Sequence, residues 1–236
     1  MRVQKQQYRK KQPIRFNLLF YASLFLLGCT NPATHNDLGA KSLEFQNQRD
    51  AKTFVYECSD GYDFVARIQE EKVWLFLPEK TISLPHVPSG SGAKFSEAQI
   101  TYWSKADEAF IEIGDEKHTD CKNNRALAIW EDAKLRGVDF RAIGNEPGWN
   151  LEIIQNEKIV FVGDYGQKRY AFSTTGPSTD QQSRTTVYEA QNDKHDLSVI
   201  IIGRRCHDTM SGEAFETTVN VILDGKIYRG CGKALH

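Results

Sequence analysis

Asp63-Phe64-Val65-Ala66-Arg67-Ile68 and Val73-Trp74-Leu75-Phe76-Leu77 decide the fold. Both runs are short, rich in β-branched and aromatic residues, and bounded by turn formers, Ser59-Asp60-Gly61 before and Pro78 after. Similar runs flank them. Thr53-Phe54-Val55-Tyr56 lies upstream, while Ala98-Gln99-Ile100-Thr101-Tyr102-Trp103 and Glu108-Ala109-Phe110-Ile111-Glu112-Ile113 lie downstream, the last closed by Gly114-Asp115. Strands at this spacing predict an antiparallel meander or small barrel.

Further along, the period changes. Ala126, Ile129, Trp130 and Ala133 recur at i, i+3, i+4 and i+7, with Gly137 just beyond, which predicts one amphipathic helix within residues 124–137. Strand-like runs then resume at 151–154, 158–163, 169–172, 185–190, 197–202, 217–223 and 226–230, with Asp224-Gly225 as a hairpin signal between the last two. The chain therefore reads as all-β, a barrel over 51–123 joined by a helix to a second β-rich domain over 138–236.

The N-terminal end reads as an export signal. Six basic residues and no acidic one (Arg2, Lys5, Arg9, Lys10, Lys11, Arg15) precede an apolar core from Leu18 to Leu27. That core falls short of the roughly 20 apolar residues that span a bilayer. Leu24-Phe25-Leu26-Leu27-Gly28-Cys29 resembles a bacterial lipobox, which implies that residues 1–28 are removed and that Cys29 carries a lipid. An ordinary secretory signal with a chance cysteine is the competing reading. Thr30, rather than aspartate, follows Cys29, and by resemblance to sorting signals this implies the outer membrane, periplasmic side. Residues 29–50, rich in Asn, Gln, Thr, Asp and Ala, read as a flexible tether.

Loss of the leader takes the formal net charge from −1 to −7. An acidic chain is a poor nucleic-acid binder and suits a cationic partner. With Cys29 assigned to lipid, Cys58, Cys121, Cys206 and Cys231 remain. Of the three possible pairings, Cys58 with Cys121 and Cys206 with Cys231 each bracket one set of strands, and these two bridges are expected. A zinc site would want a Cys-x-x-Cys pair, which is absent, and His207 beside Cys206 is its one hint. No cofactor and no metal are expected.

Within the first strand set, Tyr56-Glu57-Cys58-Ser59-Asp60-Gly61, Ser91-Gly92-Ala93-Lys94-Phe95, Trp103-Ser104-Lys105-Ala106-Asp107-Glu108-Ala109 and Asp120-Cys121 occur in that order. Together they resemble the MliC family, membrane-bound inhibitors of c-type lysozyme, over roughly residues 52–123. The resemblance implies an eight-stranded antiparallel barrel closed by one disulfide. It also implies that Ser91 and Lys105 are the pair inserted among the catalytic carboxyl groups of the lysozyme, with Lys94 and Tyr102 as rim contacts. A cleft holding one protonated acid and one carboxylate calls for a cation and a hydrogen-bond donor. Taken alone, Lys105 reads more often as a solvated charge and Ser91 as part of a flexible loop. The chain departs from the family pattern at Lys94-Phe95, where Arg-Tyr is usual, and at Ala106, where Gly is usual.

The second half carries Phe140-Arg141-Ala142-Ile143-Gly144-Asn145-Glu146-Pro147-Gly148-Trp149 and Cys206-His207-Asp208-Thr209-Met210-Ser211-Gly212. These resemble signatures of an uncharacterised envelope-lipoprotein domain, which implies location but no chemistry. His207, Asp208 and Ser211 lack the strand-elbow-helix context of a hydrolase. The sequence thus points to an inhibitor, not an enzyme, whose partners are a c-type lysozyme and, through a lipid anchor, a membrane. The alternative is an envelope binding or structural lipoprotein that kept the barrel without the inhibition.

Overall fold

The computed structural model describes residues 51–236. The leader over 1–28, the lipid site at Cys29 and the tether over 29–50 lie outside the described residues. Eight antiparallel strands come first: β1 (Lys52–Glu57), β2 (Asp63–Gln69), β3 (Lys72–Phe76), β4 (Thr81–Val87), β5 (Ala93–Glu97), β6 (Ile100–Lys105), β7 (Glu108–Ile113) and β8 (Glu116–Asn123). Each pairs with the next, and β8 returns to β1 through Tyr56 opposite Asn123 and Glu57 opposite Lys122. The barrel is therefore closed, which removes the unpaired edge that an open sheet exposes.

Alternation fills the interior. Phe64 and Ala66 on β2, Val73 and Leu75 on β3, Phe95 on β5 and Ile111 on β7 all lie in one buried cluster, as a period of two dictates for strands with one face inward. Tyr56 and Tyr102 are wholly buried there, and Tyr102 Oη donates to Tyr56 Oη at 3.3 Å. The two phenols thus satisfy one another in an apolar interior. A Cys58–Cys121 disulfide ties the end of β1 to β8.

Three strands of the barrel had no β-rich signal. β4 contains Pro85, β5 is the polar Ala93–Glu97, and in β8 Glu116, Lys117, Asp120 and Lys122 are exposed while only Cys121 is fully buried. A strand of a small barrel needs only one apolar face, so these segments pair without reading as apolar runs. The run expected from Ala98 starts later. Ala98 has φ +50° and sits in the turn before β6 begins at Ile100.

A single helix follows, α1 (Arg125–Leu135), with Asn124 as N-cap accepting from the Leu127 N–H at 3.2 Å and Gly137 (φ +78°) just past its end. Its buried residues are Ala128, Trp130 and Ala133. Ala126 and Ile129 of the expected stripe are exposed, Ile129 by 53%. The reason is that one inward face of α1 is ionic. Asp132 Oδ1 accepts from Thr53 Oγ1 at 2.9 Å and from Arg67 Nη1 at 3.1 Å, and Arg136 donates to Asp132 at 2.7 Å and to Glu152 at 2.8 and 3.0 Å. Apolar periodicity does not register a face held by charge.

The remaining strands are β9 (Phe140–Asn145), β10 (Gly148–Ile154), β11 (Lys158–Gly163), β12 (Lys168–Ser173), β13 (Ser178–Asp180), β14 (Thr185–Gln191), β15 (Asp196–Ile202), β16 (Cys206–His207), β17 (Ala214–Phe215), β18 (Thr217–Leu223) and β19 (Lys226–Ala234). All but β16 and β17 form one antiparallel sheet in the order β12-β11-β10-β9-β19-β18-β15-β14-β13. One face buries Trp149, Leu151, Phe161, Phe172, Leu197, Val219 and Val221 together. The sheet curls over that face into a half-barrel, and Asn192 Nδ2 beyond β14 reaches Ala171 O on β12 at 3.2 Å. Asp224 and Gly225 both take positive φ in the β18–β19 turn, as their sequence signal predicts. A second disulfide joins Cys206 to Cys231.

Candidate functional site

The site is built at one end of the barrel by the β4–β5 loop and the β6–β7 turn. Ala93 pairs with Ser104 and Lys94 with Trp103, so the loop that precedes β5 comes to the end of the barrel where β6 finishes at Lys105. Ser91 is exposed in that loop. Its carbonyl oxygen accepts from Trp103 Nε1 at 2.9 Å and lies 3.1 Å from Ser89 Oγ. Gly92 has φ +71°, and a Cβ there would lie 2.5 Å from Ser104 O and 3.0 Å from the Trp103 ring. Only glycine allows the loop to lie this close to β6.

Lys105 ends β6 and pairs with Glu108 across the two-residue turn Ala106-Asp107. Ala106 stands at φ +53°, the left-handed region in which a Cβ is costly. That explains physically why glycine suits this position. Asp107 secures the turn. Its carboxylate accepts from Asn123 Nδ2 at 3.1 Å and from Arg125 Nε at 3.0 Å, Arg125 Nη2 makes a further contact with it, and its carbonyl accepts from Asn123 N at 2.8 Å. Hydrogen bonding from Arg125, then from Asn123, holds the Asp107 carboxyl below the ordinary aspartate range.

Ser91 and Lys105 are thus displayed at the same end on exposed backbone, one on each side of the β6 terminus. Among the described residues the Lys105 ammonium has no ion-pair partner and the Ser91 hydroxyl no hydrogen-bond partner. Such a pair keeps its full capacity for an incoming anion or acceptor. Beside them, Trp103 stacks on Phe110 with centroids 5.6 Å apart, and Lys117 Nζ lies 4.8 Å from the Phe110 ring.

Two of the residues expected at the rim differ in kind. Lys94 is half-buried, whereas Tyr102 has no exposed surface and belongs to the barrel core. Strand alternation decides this, since Trp103 and Tyr102 must point to opposite faces. Phe95 is 1% exposed and packs against Tyr102 and His86, so phenylalanine at that position alters the interior and leaves the rim untouched. Asp107, Arg125 and the Trp103 N–H had no recognised role from sequence. An aspartate in a two-residue turn could have signalled the first, but nothing local joins Arg125 to a turn eighteen residues earlier.

In the half-barrel, Asn145 donates to both oxygens of Asp208 at 2.8 and 3.0 Å, and Asp208 Oδ1 also accepts from the N–H groups of Met210 and Ser211. His207 is exposed and bonded to neither Asp208 nor Ser211 among the described residues. Asp208 is thereby a loop organiser. No group of three His, Cys, Asp or Glu side chains among the described residues could hold a metal ion.

The family described as membrane-bound lysozyme-inhibitor of c-type lysozyme (MliC) matches residues 56–120. A curated relative from Yersinia enterocolitica serotype O:8 / biotype 1B, the membrane-bound lysozyme inhibitor of C-type lysozyme, is 42% identical over 91 residues, spanning 37% of this chain and 74% of that protein. No solved structure matches the chain.

Proposed function

Because the chain belongs to the family of membrane-bound inhibitors of c-type lysozyme, we propose that its barrel inhibits such a lysozyme by inserting Lys105 and Ser91 into the active-site cleft. The observation that carries this reading is the display of an unpaired ammonium and an unpaired hydroxyl at one barrel end, on backbone fixed by Trp103, Gly92 and Asp107. In the cleft the ammonium faces the ionised carboxylate, while the hydroxyl donates to or accepts from the carboxyl group that acts as acid. Both side chains are presented without loss of an internal partner, so insertion leaves no buried group of the inhibitor orphaned. The fixed turns lower the ordering cost of binding.

The protein acts by occlusion and performs no turnover. Association with a membrane follows the family description, and the lipid on Cys29 is the anchor proposed for it, with the outer membrane, periplasmic side, as its address. An acidic surface steers a basic lysozyme to the barrel. A titration of residues 30–236 against a c-type lysozyme, read as loss of cell-wall lysis, tests the proposal. Saturating inhibition supports it. Undiminished lysis at excess protein would leave the barrel as a non-inhibitory binding module.

A further inference from the structure

The two motifs of the C-terminal half that inhibition does not use meet on the outer face of the half-barrel. Val219 and Val221 point into its core, so Thr218 and Asn220 point outward, as does Arg229, the cross-strand partner of Asn220. A strap formed by residues 204–209 crosses this face. It is stitched to three adjacent strands, to β18 by Thr218 Oγ1 donating to Arg204 O at 3.2 Å, to β19 by the Cys206–Cys231 disulfide, and to β9 by Asn145 donating to Asp208. Between strap and sheet lies a cavity of about 360 Å³ whose lining includes Arg204, His207, Thr218, Asn220 and Arg229.

We infer that this cavity binds a small organic anion, its carboxylate or phosphate group held by Arg204 and Arg229. Neither guanidinium has an acidic partner among the described residues. Asp208 is the one acid on the lining, and its carboxylate is occupied by Asn145 and by two backbone N–H groups. The lining therefore sets two arginines, both exposed, against one carboxylate, a net positive charge. Guanidinium forks match the planar oxygens of carboxylate and the oxygens of phosphate, while Asn220 and Thr218 offer hydrogen bonds to a polar body. The volume lies at the small end of ligand cavities, too small for a folded segment. A strap fixed at three points, one of them covalent, gives a preformed site whose ordering cost is met on folding.

Calorimetric titration of residues 30–236 at low salt with citrate and, separately, inorganic phosphate tests the inference. Saturable binding of at least one probe is expected, and it should be about tenfold or more weaker in Arg229→Gln and in Arg204→Gln, each removing a charge-assisted contact. Citrate alone binding identifies a carboxylate ligand and phosphate alone a phosphorylated one. Arg229→Lys keeps the charge but loses the fork and should also weaken binding, whereas Arg205→Gln, a neighbouring exposed arginine off the lining, should not. Circular dichroism confirms that each variant is folded. Failure of both probes to bind below about 10 mM, or equal weakening by Arg205→Gln, overturns the inference. Lysozyme inhibition should be unchanged in every one of these variants.

Discussion

The indole N–H of Trp103 donates to the backbone carbonyl of Ser91 at 2.9 Å. One strand therefore controls both halves of the proposed plug, since β6 holds the Ser91 loop through Trp103 and ends two residues later in Lys105. Their relative placement depends on hairpin register and one side-chain bond, without any direct contact between the pair. A mutation that loosens this bond should act on inhibition before it acts on the fold.

Trp103→Phe is expected to keep an aromatic ring against Phe110 while removing the donor. The bond lies at the surface, where such contacts contribute about 1 kcal/mol. Inhibition constants should rise roughly fivefold, with the urea midpoint shifted little. A large loss of stability with no change in inhibition would show that Trp103 serves packing alone.

Ala106→Gly should stabilise the protein by about 0.5–1 kcal/mol, because φ +53° at this turn strains an L-residue. The gain is less than the full left-handed penalty, since glycine also adds freedom to the unfolded chain. Urea unfolding measures it. Gly92→Ala should do the reverse, since its Cβ would meet the Ser104 carbonyl at 2.5 Å.

The eight-stranded barrel was legible because Phe64, Val65, Val73 and Leu75 announce strands through apolar and β-branched residues, and because the ordered motifs from Tyr56 to Cys121 gave the rest by resemblance. β8 was not, since its exposed Glu116, Lys117 and Lys122 conceal the single buried Cys121. The helix was found, but its packing was not. Asp132 and Arg136 bury ionic contacts on Arg67 and Glu152, and such pairs are set by tertiary placement. For the site, exposure of Ser91 and Lys105 followed from turn residues, while the Asp107–Arg125 clamp spans a separation that no local pattern reveals.

That clamp gives a pH prediction. The folded Asp107 carboxyl lies below its unfolded value because Arg125 and Asn123 donate to it, so its contribution to stability is present above the unfolded value and is lost as pH falls through the folded one. Thermal unfolding of the parent and of Asp107→Asn should therefore converge between about pH 5 and pH 2. A constant difference across that window would mean that the carboxylate charge is not what fixes the turn.

Asp132→Ala removes the acceptor shared by Thr53, Arg67 and Arg136. Arg67 is 7% exposed and still donates to Thr53 Oγ1 at 3.0 Å, so loss of the carboxylate should cost about 1–3 kcal/mol, less than for a fully buried pair because Asp132 is partly solvated. Denaturant unfolding would reveal it. A barrel piece ending at residue 123 lacks both Asp132 and Arg125, so it should inhibit more weakly than one ending at residue 137.

The most direct measurement compares inhibition of one c-type lysozyme by the parent, by Lys105→Ala and by Ser91→Ala, each verified as folded. Truncating one member of a desolvated charge pair costs about 2–5 kcal/mol, so Lys105→Ala should inhibit at least thirtyfold more weakly, with Ser91→Ala between it and the parent. Equal inhibition by parent and Lys105→Ala would contradict insertion of the ammonium into the cleft.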